Sequence, residues 1–445
     1  HQKIIPFKKL IYYPDCYINK SDFDLIKLKE IEKKYELNLW SDVFTERSFY
    51  LYWTDFYKFN KEEIFVIIEK SILFFIQILE EFQPKMILTQ YIGENISNIL
   101  LYKIGKKMNI KTIMPVPMFI HNRIILSDNI VGREIIDEYK KIIENFEDTS
   151  NEFTENYIKK ENFSQTLKIQ STYNPNILNL TQKINHYKKR IFVNLEPIYK
   201  NKGKSQTKLI KNKFQQYFEI RKREKFLNLN SIKNIEDNNF ILFPMQSMPE
   251  AKVLTISSFY SNQITLIENI AKSIPINTIL YVKEHPIQKT KLWRSVEFYK
   301  KIIAIPNVKL VHPSVDSQEL IANTKAVILI SGGTGFEAIF YKKPVILFSE
   351  EIYEELSTVT KVSKFDNLHK EISEAIMNFK FNIKEINALM TVIENQSISI
   401  PYFTMIKEGV TLSAIQRNKK NPEVTLQYFK KFYEKYEEYF KEYAN

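Results

Sequence analysis

From Asn239 onward the chain alternates short apolar runs with stretches of helical length. The runs are Phe240-Ile-Leu-Phe-Pro244, Thr278-Ile-Leu-Tyr-Val282, Val308-Lys-Leu-Val311, Ala326-Val-Ile-Leu-Ile330 and Val345-Ile-Leu-Phe348. Residues 257–273, 289–303, 316–324 and 334–342 separate them with the length and patterning of helices. A strand that is apolar at consecutive positions is covered on both faces, and such strands joined through helices are parallel. The pattern predicts a doubly wound α/β domain, whose ligands bind at the carboxyl ends of the strands.

At 445 residues, 44% of them apolar and 14% aromatic, the chain is long enough for two domains with complete cores. The expected division is an acceptor-side Rossmann-like domain over 1–190, a basic helical insertion or connection over 191–238, the domain described above over 239–400, and a helical segment over 401–445. In the first half, Met86-Ile-Leu88, a helical stretch at 96–108 and Thr112-Ile-Met114 repeat the strand, helix, strand unit. The apolar stretch 64–79 is interrupted by Glu69 and Lys70 and reads as a buried helix rather than a membrane span. Helical stretches are also expected around 136–147 and 207–227. Residues 424–443 place aromatic side chains at spacings of three and four, one apolar face of a helix expected to pack across the domains, the alternative being a helix that lies on a membrane surface.

The single cysteine, Cys16, excludes an intrachain disulfide and a thiolate metal cluster. With no charged-then-apolar secretion signal in view, the expected residence is the cytoplasm. The net charge is +12, and residues 200–225 hold ten Lys or Arg against Glu219 and Glu224. Such a segment is either a solvated helix or a surface for polyanions, among them an anionic inner membrane met peripherally.

Glycine is scarce, eight residues where an average chain of this length has about 30. Three of the eight, Gly332, Gly333 and Gly335, lie between the run ending at Ile330 and Phe336-Glu-Ala-Ile-Phe-Tyr341, at the turn from strand to helix. A turn without side chains, opening a helix whose first N–H groups are unpaired, invites an anion such as a phosphate. Gly-Gly-Thr-Gly lacks the spacing of the dinucleotide fingerprint, and no Lys-Ser/Thr follows as in a P-loop, so hydride transfer and P-loop hydrolysis lose support.

The other strand ends bring polar residues to the same rim. They are Pro244-Met-Gln-Ser-Met-Pro-Glu250, Lys283-Glu-His-Pro286, His312-Pro-Ser314 and Ser331-Gly-Gly-Thr-Gly-Phe-Glu337. Ser331, Thr334 and Lys283 can satisfy a phosphate, and Glu337 can reach a sugar hydroxyl, unless Ser331 and Glu337 serve only to cap the helix. Proline fixes the loop after His285 and turns its imidazole from the sheet, where it can meet an anion or move a proton. Asp22-Phe-Asp24 has the spacing of a metal-nucleotide pair but lies far from this rim, and no catalytic metal is expected.

The series Gln246, Pro249-Glu250, Lys283-Glu-His-Pro286, Ser331-Gly-Gly-Thr-Gly-Phe-Glu-Ala338 and Lys343-Pro-Val345 resembles the capsule polysaccharide biosynthesis glycosyltransferases, a group that includes bacterial Kdo transferases. It is similar, more remotely, to bacterial polysialyltransferases. The resemblance covers residues 240–350. It implies a GT-B architecture, two Rossmann-like domains facing across a cleft, with no essential metal and no cofactor beyond the nucleotide-sugar co-substrate. By that resemblance His285, Pro286, Ser331, Gly332, Gly333 and Thr334 hold the donor's nucleotide and phosphate, with Gln246, Glu250, Lys283, Glu284 and Glu337 beside them. A CMP-activated 3-deoxy-ulosonic acid of Kdo or sialic type is favoured over a UDP-sugar, with a surface polysaccharide or glycolipid as acceptor and no nucleic-acid partner.

The candidate base is Glu94, at the end of the strand 86–88 and the start of the next helix, although an acid there also serves the helix dipole. His285 is the second catalytic candidate. His121, Arg123 and Asp128 are weaker acceptor-side candidates. Two alternatives are a nucleotide-sugar epimerase or hydrolase of the same architecture and a non-enzymatic polyanion-binding protein.

Overall fold

A computed structural model describes residues 22–46, 49, 59–93, 95–120, 123–152, 154–155, 206–236, 239–248, 250–285, 294–400, 430–437 and 440–441. The chain divides into two compact units. The first contains the helices Leu25–Lys34, Leu39–Thr45, Lys61–Phe82 and Ile96–Lys107. The apolar stretch at 64–79 is indeed a helix. It opens on a reciprocal cap in which Asn60 Oδ1 accepts from the Glu63 amide at 2.8 Å and Glu63 Oε2 accepts from the Asn60 amide at 2.9 Å. It closes at Gln83, in the left-handed region, just before Pro84. Ile67, Ile68 and Ile72 are buried along it, together with Ile99 and Leu100 of the last helix. Asp24 caps the first helix, accepting from the amides of Ile26 and Lys27 at 2.9 and 3.1 Å. Among the described residues, no helix is long and apolar enough to cross a membrane.

The second unit contains two sheets. Strands β1 Met86–Leu88, β2 Lys111–Pro117 and β3 Arg123–Ser127 form the smaller one, completed by β10 Ile398–Ser399 in the order β1-β2-β3-β10. β1 and β2 are parallel, whereas β3 runs antiparallel to β2 and to β10.

The larger sheet is entirely parallel. Its strands are β4 Phe240–Pro244, β5 Ile279–Lys283, β6 Val308–Val311, β7 Val327–Leu329, β8 Val345–Leu347 and β9 Val359–Lys361, in the order β6-β5-β4-β7-β8-β9. Every residue of β7 and β8 is fully buried, as are Ile241, Leu242, Phe243, Leu280, Tyr281 and Val282. This is why these segments read as continuous apolar runs. The order is that of a dinucleotide-type α/β sheet: two strands wind outward on one side of β4 and three on the other.

The helices between these strands are Gln263–Ser273, Val296–Ile303, Ser317–Asn323 and Gly333–Phe340. The expected helix over 257–273 is divided: a single 3-10 turn Ser258–Tyr260 precedes Asn262, whose side chain caps the longer piece, and a short helix Ala251–Thr255 lies just before the expected stretch. The helices Arg133–Ile142 and Gln206–Asn230 lie where helical stretches were expected, shifted or extended by a few residues.

Past the larger sheet, the helices Leu368–Met377 and Ile383–Gln396 lead to β10 and so return the chain to the smaller sheet. Helical residues 430–437 dock there. Tyr436 accepts from the Leu126 amide of β3 at 3.2 Å and donates to the Gln396 carbonyl at 3.4 Å, while Lys435 Nζ donates to the Asn395 carbonyl at 2.9 Å. The described part of the aromatic C-terminal segment is therefore held by the fold.

Candidate functional site

β4 and β7 are neighbours although two strands separate them in sequence, so the crevice at their carboxyl ends is the switch point of the sheet. Gln246 leaves β4 and Ser331 leaves β7. The Gln246 side-chain amide donates to the Ser331 carbonyl across the switch point. Its own backbone is fixed in turn: its N–H donates to Gln263 Oε1 at 2.9 Å, and its carbonyl accepts from Gln263 Nε2 at 3.2 Å and from the Arg294 guanidinium.

The glycine turn is braced from below. Gly332 has φ +105°, a conformation that strains other residues. Its N–H donates to Glu351 Oε1 at 2.8 Å and its carbonyl accepts from the Tyr353 hydroxyl at 2.7 Å. Glu351 is wholly buried, and its other oxygen accepts from Lys252 Nζ at 2.7 Å. Lys252 Nζ lies 5.1 Å from the centre of the Phe119 ring. Gly335 is needed for closeness, since a Cβ there would stand 2.6 Å from the Tyr353 hydroxyl.

One amide of the expected cradle is thus taken by a protein carboxylate. The rest remain: helix Gly333–Phe340 has no side-chain cap and no acidic residue in its first turn, and Gly333 and Thr334 are half-buried rather than sealed. Ser331 Oγ is buried without a hydrogen-bond partner among the described residues.

At the end of β5, Lys283 is 3% exposed, and its ammonium makes no hydrogen bond or ion pair among the described residues. Burial lowers its pKa to about 8, against the opposing pull of Glu284, Asp316 and Glu337. Glu284 is occupied. It accepts from Tyr299 Oη at 2.6 Å, from the His285 amide at 2.6 Å and from the Arg294 guanidinium. Arg294 therefore ties the loop after β4 to the loop after β5. His285 is half-buried beside this pair.

Glu250 is also half-buried and caps nothing with its side chain, although it stands at the start of helix Ala251–Thr255. Burial pushes its carboxyl up to about 7; Lys252 opposes the shift and the neighbouring charge of Glu351 adds to it.

The loop after β1 reaches the same place. Gly93 has φ +123°, and a Cβ there would lie 2.5 Å from Ala251 Cβ, next to Glu250. Glu94, His121 and Pro286 lie outside the described residues. Arg123 is turned to the end of helix Ile383–Gln396, donating to Ser397 Oγ at 3.0 Å. Asp128 lies 3.9 Å from Lys111 Nζ, and the His312 ring shares a 2.6 Å hydrogen bond with Ser314 Oγ in its own loop. The structure therefore gathers Gln246, Glu250, Lys283, Glu284, His285 and residues 331–337 at one rim. It adds Phe119, Lys252, Arg294, Glu351 and Tyr353, which sequence reasoning missed. Glu351 was within reach of the strand-end rule, since it follows β8 closely.

No curated protein sequence matches the chain. Among solved structures, it is similar to Thermosulfurimonas dismutans KpsC, described as a beta Kdo 2,7 transferase, at 11% identity over 83% of this chain and 89% of that one, with a TM-score of 0.34. A second Thermosulfurimonas dismutans KpsC structure, described as a beta Kdo 2,4 transferase, shows 15% identity over 38% of this chain and 54% of that one, TM-score 0.25. The UDP-GlcNAc 2-epimerase of Methanocaldococcus jannaschii shows 15% identity over 82% and 89%, TM-score 0.27. The family model described as capsule polysaccharide biosynthesis protein matches residues 137–384, a span that contains the whole larger sheet and the segments that follow the ends of β4, β5, β7 and β8. That span is more than half of the 445 residues, and the chain belongs to the capsule polysaccharide biosynthesis protein family.

Proposed function

We propose that the chain is a GT-B glycosyltransferase that moves a sugar from a nucleotide-sugar donor to a surface polysaccharide or glycolipid acceptor. The observation that carries this reading is the set of unspent donors at the switch point: the uncapped start of helix Gly333–Phe340, the buried Ser331 hydroxyl without a partner, and the buried Lys283 ammonium. An anion that accepts from these groups compensates their burial. Metal-free transfer follows from the same charges, which stabilise the departing phosphate. The favoured donor is a CMP-activated 3-deoxy-ulosonic acid of Kdo or sialic type, whose single phosphate suits one short turn.

In the reaction, an acceptor hydroxyl oxygen attacks the anomeric carbon. The bond from that carbon to the phosphate oxygen breaks, and the nucleoside monophosphate leaves with the electron pair. The hydroxyl proton passes to a carboxylate. Glu94 remains a candidate for that proton; among the described carboxyls Glu250 suits it best, unpaired by any cap and with a pKa of about 7. Gln246, Glu284 and Arg294 position the two loops, and His285 contacts the nucleotide.

A thermal-shift series with CMP, UDP, GDP and their sugars tests the proposal. A ligand at 100 times its dissociation constant stabilises by about 2.7 kcal/mol. The expected result is a shift with CMP and CMP-sugars that Ser331→Ala and Lys283→Met both abolish. A shift with UDP alone overturns the CMP assignment, and no shift with any nucleotide overturns the function. Product analysis with donor alone separates transfer from epimerisation or hydrolysis.

A further inference from the structure

Helix Gln206–Asn230 has two faces with opposite fates. Arg223 and Leu227, one turn apart, are buried at 2% and 4% exposure. On the other side Tyr217, Phe218 and Leu229 are 48%, 64% and 74% exposed, and the exposed Arg221 and Lys225 lie among them. At about 100° per residue these five side chains fall within roughly 120° of arc, centred opposite Arg223. The Arg221 guanidinium lies over the Tyr217 ring at 4.3 Å, so cation and aromatic form one surface. Lys222, at the edge of the strip, lies in the field of Glu297. Glu219 falls outside the strip, and Glu224 is half-buried at its border.

A solvated helix accounts for the lysines, and apolar side chains exposed singly are ordinary; Tyr217, Phe218 and Leu229 are instead gathered on one strip and interleaved with cations. A nucleic acid offers a home to the cations and the rings but none to Leu229, and an acidic polysaccharide offers none to either apolar side chain. The interface of an anionic bilayer takes all of them: the apolar side chains enter the acyl boundary while Arg221 and Lys225 meet the headgroup charge.

We propose that this outer face of helix Gln206–Asn230 is a peripheral docking surface for an anionic lipid bilayer. The helix lies on the membrane and does not span it. The proposal stands independently of the sugar-transfer reading.

Flotation of the full chain with vesicles tests it, using phosphatidylcholine alone and phosphatidylcholine mixed with phosphatidylglycerol. At about 1 kcal/mol per basic residue near the surface, Arg221 and Lys225 together predict a preference of about tenfold or more for the anionic vesicles, weakened by salt. Arg221→Glu with Lys225→Glu removes that preference. Phe218→Ser with Leu229→Ser releases the protein from both vesicle types, with helical content and melting temperature unchanged. All four positions are exposed, and should one pair impair folding the other still decides the matter. Absence of vesicle binding overturns the proposal, as does equal binding to both vesicle types or indifference to both pairs of substitutions. Tight salt-sensitive binding to duplex DNA that displaces the vesicles transfers the face to nucleic acid. A dimer that Phe218→Ser with Leu229→Ser dissolves transfers it to a second copy of the chain. Either outcome refutes the membrane assignment.

Discussion

The side-chain amide of Gln246 donates to the main-chain carbonyl of Ser331, 85 residues away, and this bond closes the switch point between β4 and β7. Both residues are buried, so the bond cannot be exchanged for water without cost. Gln246→Ala leaves the Ser331 carbonyl without that donor and frees the first residue of the glycine turn. The expected loss is about 1–3 kcal/mol in unfolding free energy, measured by denaturant titration, together with weaker nucleotide binding. Unchanged values of both would remove Gln246 from the positioning of the turn.

Lys283→Met is expected to separate stability from binding. The ammonium has its folded pKa lowered to about 8 from 10.5, so the folded protein holds that proton less tightly than the unfolded chain. The cost of burying the charge is fully present below pH 8 and is relieved as pH rises toward 10.5. Replacing it with a methionine therefore stabilises the protein at pH 7 by up to about 3 kcal/mol, at 1.36 kcal/mol per unit of pKa. The gain shrinks between pH 8 and 10.5, while affinity for a phosphate ligand falls. Melting curves across pH, with and without nucleotide, read both effects.

Glu250 runs the other way in pH. Its folded pKa lies above its usual value, at about 7 against 4.5, so stability is greatest below pH 4.5 on this group's account and falls as pH rises through 7. Glu250→Gln is expected to flatten that fall. As the proton acceptor of the proposed reaction it also sets an acidic limb near pH 7, and the glutamine variant loses about 100-fold to 10,000-fold in kcat with little change in donor KM. A variant that keeps its kcat assigns the proton to another group.

The glycines of the turn respond to alanine for different reasons. At Gly332 there is room, the nearest side-chain atom being 3.7 Å from a Cβ, but φ of +105° makes alanine pay in backbone strain of about 1–3 kcal/mol. At Gly335 the backbone is ordinary and the space is lacking. Alanine there displaces the Tyr353 hydroxyl, which then loses the Gly332 carbonyl. Tyr353→Phe in the Gly335→Ala background should recover part of the loss by removing the crowding hydroxyl, and should recover nothing in Gly332→Ala. Unfolding titrations of the two single and two double variants give the comparison.

The larger sheet was legible because fully buried parallel strands need apolar residues at successive positions, and five of its six strands stand out for that reason. β9 did not, since Val359-Thr-Lys361 is an edge of three half-exposed or exposed residues. β3 and β10 were missed for a related cause: antiparallel pairing carries no requirement for a connecting helix, and β10 is only two residues long. In the site, strand-end position sufficed to find Gln246, Lys283 and Ser331. It could not reveal that Lys252 reaches Glu351, 99 residues on, or that Arg294 joins Gln246 to Glu284. Those pairings depend on which loops meet, and one residue type at one position does not encode that. Nor could charge alone show that Arg223 faces inward while Arg221 faces out.

The bracing of Gly332 by Glu351 and Tyr353, and of Ser331 by Gln246, has a thermodynamic consequence for whatever binds there. Three side chains from two loops have already removed the freedom of the turn during folding. A ligand arriving at such a turn has little backbone left to order, so the entropic cost of association falls mainly on the ligand itself. Selection among ligands then rests on how well a rigid outline is matched, and a ligand of the wrong shape finds no yielding loop to accommodate it.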